Sequence, residues 1–468
     1  MRAAAAVMLA LALSGAARTS VVSPDDAFRD SLSSLSPGDT LYLLPGTYTA
    51  ADTLPLLHVP PELAGVTLTT SPDDPAVLDG QDYQRPVLYL EGGGAQTRVE
   101  LLTVTGGAAL SGQWFAGGGA FISEADAILF ACTFQENAAT VGGAVAVEAG
   151  ETVIQRCDFL GNTSSSTGGA VNLYACVAEV LDCRMLGNSC ADDGGGLNGY
   201  QSSVVLRNVL LAGNHAGDDG GGLTLLQGTQ ELSYLTVDSN SCIDDGAGIL
   251  LSAVDYASLR SCIVTSNQGK HGVVGKGSPD VDFQCCCAWN NEMGNYAGWE
   301  DPTGTQGNIS VDPAYADTLY RLSQTAAGQP VQSPCVDAGH EPAWGAWVDG
   351  YSTRTDSIPD SLTSDMGWHQ PSSLQSGPGG GEEPPGGMSL FPSPFRDNLF
   401  IRAPAPGSEV SLRVYDSAGR LLWRRDAYSS RDSWSGIWAP SGRDGPGVVL
   451  VRLQSGGAVY TGKAVLLR

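Results

Sequence analysis

Three pairs of aspartates carry the most regular chemistry in this chain of 468 residues. They are Asp192-Asp193, Asp218-Asp219 and Asp244-Asp245, and the pairs are spaced 26 and 26 residues apart. If the intervening units stack, all six carboxylates stand in one column with ~4.8 Å between rungs. Carboxylates that close repel one another unless a cation lies between them. Ca²⁺ takes carboxylate oxygens at about 2.3–2.6 Å, so one ion bridges adjacent rungs. The spacing therefore points to a Ca²⁺ ladder that stiffens the stack or bridges it to an acidic polysaccharide. The competing reading is a solvated acidic turn, the usual fate of a charge run. Lys270 and His271 stand at nearly the same position in the next unit and offer to neutralise one end of the column. Ca²⁺ is the one cofactor the sequence suggests.

Other chemistry-bearing residues are sparser. There are five His; His58, His215, His340 and His369 are scattered, as structural histidines are. Cys285-Cys286-Cys287 lacks the following His or Cys spacing of a metal site. In an exported chain a disulfide from one of the three to Cys335 fits better. Trp289, Trp299, Trp344 and Trp347 are candidates for stacking on sugar rings, with end-packing as the commoner role of large aromatics.

These residues must be positioned by a repeat. The segments ending in Asn137, Asn162, Asn188, Asn214, Asn240 and Asn267 resemble one another, and those Asn residues lie 25, 26, 26, 26 and 27 apart. A glycine-rich stretch precedes each segment, as at Gly118-Gly119-Ala120 and Gly221-Gly222-Leu223. Between the markers run short alternating stretches such as Ala144–Val147 and Val204–Leu206, which are strand patterns. No stretch has helical spacing over the length a helix needs. Two or three short strands plus turns, repeated, make a coil of a parallel β-helix. Glycine suits the tight turns, and Asn at a turn tolerates left-handed backbone and bonds its stacked neighbours. Cys132, Cys157, Cys183 and Cys262 share a column with Val209 and Leu235. A position that accepts Cys, Val or Leu faces the core, so these are expected as free thiols.

The paired signals Gly-Gly-Ala-aliphatic and Phe-x-x-Asn, as in Gly118–Phe121 with Phe134–Asn137, resemble the polymorphic outer-membrane protein repeats. More broadly the chain is similar to right-handed parallel β-helix proteins of the pectate-lyase-like superfamily. The match covers about residues 100–270, clearest over 117–270. Pro37–Tyr48 and Val77–Gly80 look like first coils, behind a short capping helix in Asp25–Leu35. Asn308–Pro313, Ser333–Gly339 and Asp365–His369 resemble closing coils. The resemblance admits a hydrolase or lyase, since polysaccharide-degrading members use clustered Asp with a nearby His and a basic residue. Asp218, Asp244, Asp245, His271 and Lys276 loosely imitate that set. Yet the column is regular, whereas a catalytic site usually breaks its repeat.

The ends of the chain read differently. Met1-Arg2, an apolar run to Leu13 and small residues to Ala17 make a signal peptide over 1–17. Residues 371–387 are a Pro/Gly/Ser linker by composition. Residues 388–468 alternate in six or seven short strands, the pattern of a small β-sandwich. Phe391-Pro-Ser-Pro-Phe395, Val414–Leu422 and Lys463–Arg468 resemble the type A sorting domain of type IX secretion, with Ser393 where that family usually has Asn. This resemblance implies passage through a secretion machinery that recognises 388–468, then release or surface attachment.

The net charge is −26, which excludes general nucleic-acid binding. It is −31 over 1–387 and +5 over 388–468, so the acidity belongs to the repeats. No apolar segment is long enough to span a bilayer as a helix. The expected fold class is all-β: a right-handed parallel β-helix over 23–370, then a small C-terminal β-sandwich. The expected role is a secreted or cell-surface bacterial protein, monomeric, that binds an extracellular glycan or surface protein. A polysaccharide lyase or glycoside hydrolase and a structural envelope spacer are the alternatives.

Overall fold

The computed structural model describes residues 17–371, apart from 94, 111–115, 278, 343–346, 349 and 361–362, together with the strands of 389–466. All but Ala17 of the expected signal peptide, all but Pro371 of the expected linker, and Met388 lie outside the described residues. The chain forms two units, Met1–Gly380 and Gly381–Arg468.

The first unit is a right-handed parallel β-helix. Its geometry is clear in one coil, which contributes the strands Leu197–Tyr200, Ser203–Arg207, Leu210–Ala212 and His215–Ala216. Each belongs to a sheet running along the helix, here called sheets 1 to 4, of 10, 11, 10 and 5 strands. Pairing from coil to coil is parallel, as in Leu197↔Leu223 and Leu210↔Thr236. Strands this short need a corner every few residues. The corners use left-handed backbone at Gln201 (φ 53°), Asn208 (φ 53°), Gly213 (φ 62°) and Gly220 (φ 63°).

One sequence expectation changes here. The repeat Asn is not the left-handed residue; the residue before it is, as Gly213 is before Asn214. This frees the Asn side chain to build a ladder. The backbone N and Nδ2 of Asn188 both donate to Asn214 Oδ1 at 3.0 Å, and those of Asn214 donate to Asn240 Oδ1 at 2.9 Å. The ladder runs without a break from Asn137 to Asn291, and every member is buried. Buried amides demand such partners. The glycines beside it allow close approach: a Cβ at Gly221 would lie 2.4 Å from the Ser241 carbonyl oxygen.

The Cys column is interior as expected. Cys132, Cys157, Cys183, Val209, Leu235 and Cys262 are all buried, and Cys286 extends the column. All eleven cysteines are thiols. A short helix, Phe28–Leu32, caps the first coils and buries Phe28 against Tyr48 with ring centroids 5.2 Å apart.

The last coil ends where Ile309 bridges to Cys287. Asn308 and Ile309, from the first of the segments resembling closing coils, make this last rung, whereas Ser333–Gly339 and Asp365–His369 take another path. The described residues of 312–371 return along the outside of the helix, over the corner between sheets 2 and 3. Gly367 N donates to Ser261 O (2.7 Å), Trp368 N to Thr236 Oγ1 (2.9 Å) and His369 N to Asn208 Oδ1 (2.6 Å), so three successive residues step down three coils. Tyr351 reaches Asp182 at 3.0 Å. The physical reason is that corner side chains such as Asp182, Asn208 and Tyr234 offer polar groups that the ladders leave free.

The second unit consists of two antiparallel sheets, a small β-sandwich. One holds Ser389–Phe391, Leu399–Pro404 and Ser433–Trp438; the other holds Glu409–Asp416, Leu421–Tyr428, Gly447–Ser455 and Ala458–Leu466. Leu412, Val414, Val451 and Leu453 are fully buried, in keeping with the alternation of their strands. Among the described residues no helix is long and apolar enough to cross a membrane.

Candidate ligand-binding face

The aspartate pairs sit in the loop between sheets 4 and 1. In the central coil this loop is Gly217–Gly222, between the strands His215–Ala216 and Leu223–Leu226. Left-handed Gly220 turns the chain back over sheet 1, where a Cβ would strike Thr224 Oγ1 at 1.8 Å. The Thr224 hydroxyl donates to the Asp219 carbonyl at 3.3 Å and pins the loop on the sheet. As a result the two aspartates of each pair differ. Asp192, Asp218 and Asp244 are exposed, while Asp193, Asp219 and Asp245 are half-buried.

Within the half-buried column the carboxylates accept backbone N–H groups of the next coil. Asp193 Oδ1 accepts from Asp219 N at 3.2 Å, and Asp219 Oδ1 from Asp245 N at 2.8 Å. Lys276 ends the column, its Nζ lying 2.8 Å from Asp219 Oδ2 and 3.0 Å from Asp245 Oδ2. Burial alone would lower the Lys276 pKa, but these two carboxylates outweigh it and hold the ammonium protonated well above its ordinary range. Lys270 is only loosely engaged, 3.9 Å from Asp244. The neutralising residue is thus Lys276 more than the Lys270–His271 pair that sequence spacing suggested. Lys276 lies at the far end of a sheet 1 strand, six residues beyond Lys270, and no repeat position announces its reach.

At the exposed edge, Asp218, Asp219 and Asp244 place one carboxylate oxygen each within 4.8 Å of one another. Partial burial and the charges of Asp219 and Asp244 raise the Asp218 pKa. Burial does the same for Asp193. Burial first, and neighbouring carboxylates second, disfavour the charged form of both. His271 stands apart: it is not a member of the carboxylate group, and its ring lies 3.2 Å from the Cβ position of Gly294.

The register of sheet 1 shows residues the sequence reading passed over. Tyr174, Tyr200, Leu226, Ser252 and Lys276 form one outward column. At one end of this column Lys276 reaches the acidic loops. Tyr174 and Tyr200 are stacked, with centroids 5.8 Å apart, and remain 42% and 37% exposed. Val177, 52% exposed, opens the following strand in sheet 2. Two tyrosines 26 residues apart, each followed by a left-handed corner residue, were the available sequence signal.

The tryptophans take the packing role. Trp299 stands edge-on to Phe283 at 5.5 Å, and Trp347 Nε1 donates to Asp182 at 3.2 Å. Trp289 is half-buried in a cluster with Ile263 and Leu322. Trp344 lies outside the described residues. His58 pairs with Glu91 at 2.9 Å, His215 with Ser241 at 2.9 Å, and His369 is buried against Asp360 at 3.0 Å.

Fold and face together define a β-helix protein with an acidic loop ladder and an exposed aromatic pair on sheet 1. No protein-family model and no curated protein matches the sequence. Among solved structures it is similar to the pectate lyase Pel9A, at 12% identity, over 69% of this chain and 92% of that one, with a TM-score of 0.36. A likeness that distant says nothing about chemistry here.

Proposed function

We propose that this is an exported, cell-surface binding protein that holds an extracellular glycan along sheet 1 without cleaving it. The observation that carries the reading is the solvent-exposed Tyr174–Tyr200 stack on sheet 1, the sheet whose strands follow the aspartate loops. Tyrosines offer apolar ring surface and a hydroxyl at low entropic cost, and exposed apolar strips with polar rims mark binding surfaces. Lys276 argues against elimination chemistry at this face, because a base held protonated by two carboxylates cannot abstract a proton. The repeat displays the same side chains on successive rungs, which suits a ligand that is itself a repeating polymer.

Ca²⁺ has a place in this reading. Asp218, Asp219 and Asp244 present the hard oxygen donors Ca²⁺ prefers, at a mutual spacing its coordination sphere spans. An ion there would supply positive charge where an acidic sugar meets an acidic protein. Export and surface retention are assigned to 388–468, on its resemblance to a sorting domain.

A glycan array with and without Ca²⁺, followed by chromatography of the bound polymer, tests the proposal. Binding is expected with polymer length unchanged, and Tyr200→Ala is expected to weaken it about tenfold, or ~1.4 kcal/mol. A shortened polymer, with the shortening lost in Asp244→Asn, overturns the binding reading in favour of a hydrolase or lyase. Calorimetry on Asp218→Asn with Asp219→Asn checks the ion: native protein taking up no Ca²⁺ removes it.

A further inference from the structure

The three consecutive cysteines point to three different places. Cys286 enters the core column, where its Sγ donates to the Leu259 carbonyl at 3.3 Å. Cys285 is the left-handed corner residue (φ 53°), half-exposed and facing Gln306 O at 3.7 Å. Cys287 opens the strand Cys287–Trp289, pairs with Ile263 and is fully buried. Its side chain belongs to a separate small cluster with Ile263, Leu322, Met366 and Cys335. Cys335 and Met366 come from the returning segment, and Met366 N donates to Cys335 O at 2.9 Å. Cys287 and Cys335 thus pack in one fully buried cluster, where the Cys287 Sγ also donates to the Val311 carbonyl at 3.2 Å. Cys335 therefore meets one member of the triplet, and the two thiols of this cluster come from segments that no β-ladder joins.

We propose that Cys287 and Cys335 form a disulfide when the protein meets an oxidising compartment, locking the returning segment onto the last coil. The chemistry balances with a small-molecule or protein disulfide as oxidant. Cys287 as thiolate attacks one sulfur of that disulfide, forms a mixed disulfide and expels one thiolate. Cys335 loses its proton and attacks the Cys287 sulfur, expelling the second thiolate. Both cysteines are oxidised, and the oxidant leaves as two thiols. The order follows from the site: the neighbouring Cys335 thiol holds the Cys287 thiol below its ordinary range, and the same pairing raises Cys335. The thiolate is the nucleophile in such exchange. Because both sulfurs are buried, reaction takes place as the segment docks or while it is transiently open.

Glutathione disulfide is the test oxidant, used on the whole chain. After treatment, alkylation of remaining thiols and tryptic cleavage, one crosslinked species is expected, joining the peptide after Lys276 to the peptide after Arg321. The link should persist in Cys285→Ser and vanish in Cys287→Ser. In Cys335→Ser the mixed disulfide should stop at Cys287 as a glutathione adduct. Reduction of the oxidised native protein should lower Tm by roughly 5 °C or more, with no such shift in Cys335→Ser. Recovery of Cys287 and Cys335 as alkylated thiols, or a link from Cys335 to Cys285 or Cys286, overturns the proposal.

Discussion

The coils and the segment that returns over them are held by opposite kinds of interaction. In the coils one hydrogen-bond pattern repeats: Asn188 bonds Asn214 as Asn214 bonds Asn240. Along the returning segment every contact occurs once, as Tyr351 to Asp182, Tyr234 to Ser364 and His369 to Asn208. The coils' ladder carries amides that do not titrate. The returning segment carries buried Asp365 and His369, whose pKa values are both raised. The Asn ladder therefore builds stability that does not depend on protonation, whereas the contacts of the returning segment depend on groups that respond to pH.

The comparison can be broken hardest in the coils. Gly221→Ala sets a Cβ 2.4 Å from one backbone oxygen and 2.5 Å from another, and backbone yields less than a side chain does. Loss on the order of 4 kcal/mol, or of soluble protein altogether, is expected in denaturant titration. Next comes Asn214→Ala, which strands the amide groups of Asn188 and a carbonyl in the core. About 3 kcal/mol is expected, again by denaturant titration, since buried polar groups left unpaired are costly. A loss under ~1 kcal/mol would mean the ladder is not what holds the coils.

The returning segment should yield to pH instead. Burial raises the Asp365 pKa from 3.8 to about 6, with nearby Asp360 adding to the shift. Burial alone would lower His369, but Asp360 and Asp365 outweigh it and raise the pKa above 6.5. In both groups the folded state holds protons more tightly than the unfolded state does. Stability from this cluster is thus largest at low pH and declines as pH rises from 3.8 past 6.5. Hydrogen exchange at Gly367 and His369 should quicken over that window while the Asn214 amide stays protected. His369→Gln should remove the upper part of the dependence. Equal pH sensitivity in both regions would erase the contrast drawn here. The smallest effect is expected from Lys276→Ala, under ~1 kcal/mol in thermal unfolding, because the pair is partly exposed. The same change leaves Asp219 and Asp245 unneutralised and should strengthen Ca²⁺ uptake measured by calorimetry.

What the sequence made legible follows the same division. Regular spacing disclosed the coil, the core column through Cys132 and Cys262, the stacked Asn and the aspartate column, because a repeat prints each neighbour relation many times. The path of 312–371 was not legible. Its partners lie far away in sequence, Tyr351 and Asp182 by 169 residues, and each is written once. The reach of Lys276 was hidden for a related reason: its column is shared with Tyr200, Leu226 and Ser252, which have no common chemistry. The exposed tyrosines escaped notice because strand alternation marks a residue as outward without telling how much loop covers it.

The returning segment also acts as a ruler. Repeat arrays commonly drift in copy number, since duplicating or deleting one unit leaves every remaining junction intact. Here Gly367, Trp368 and His369 are registered to the coils of Ser261, Thr236 and Asn208, with Tyr351 one coil further on at Asp182. Losing or gaining a unit within that stretch would leave the coils themselves well paired but put those anchors one rung out of register. The number of central units is thereby tied to the length of a segment that contains no repeat at all.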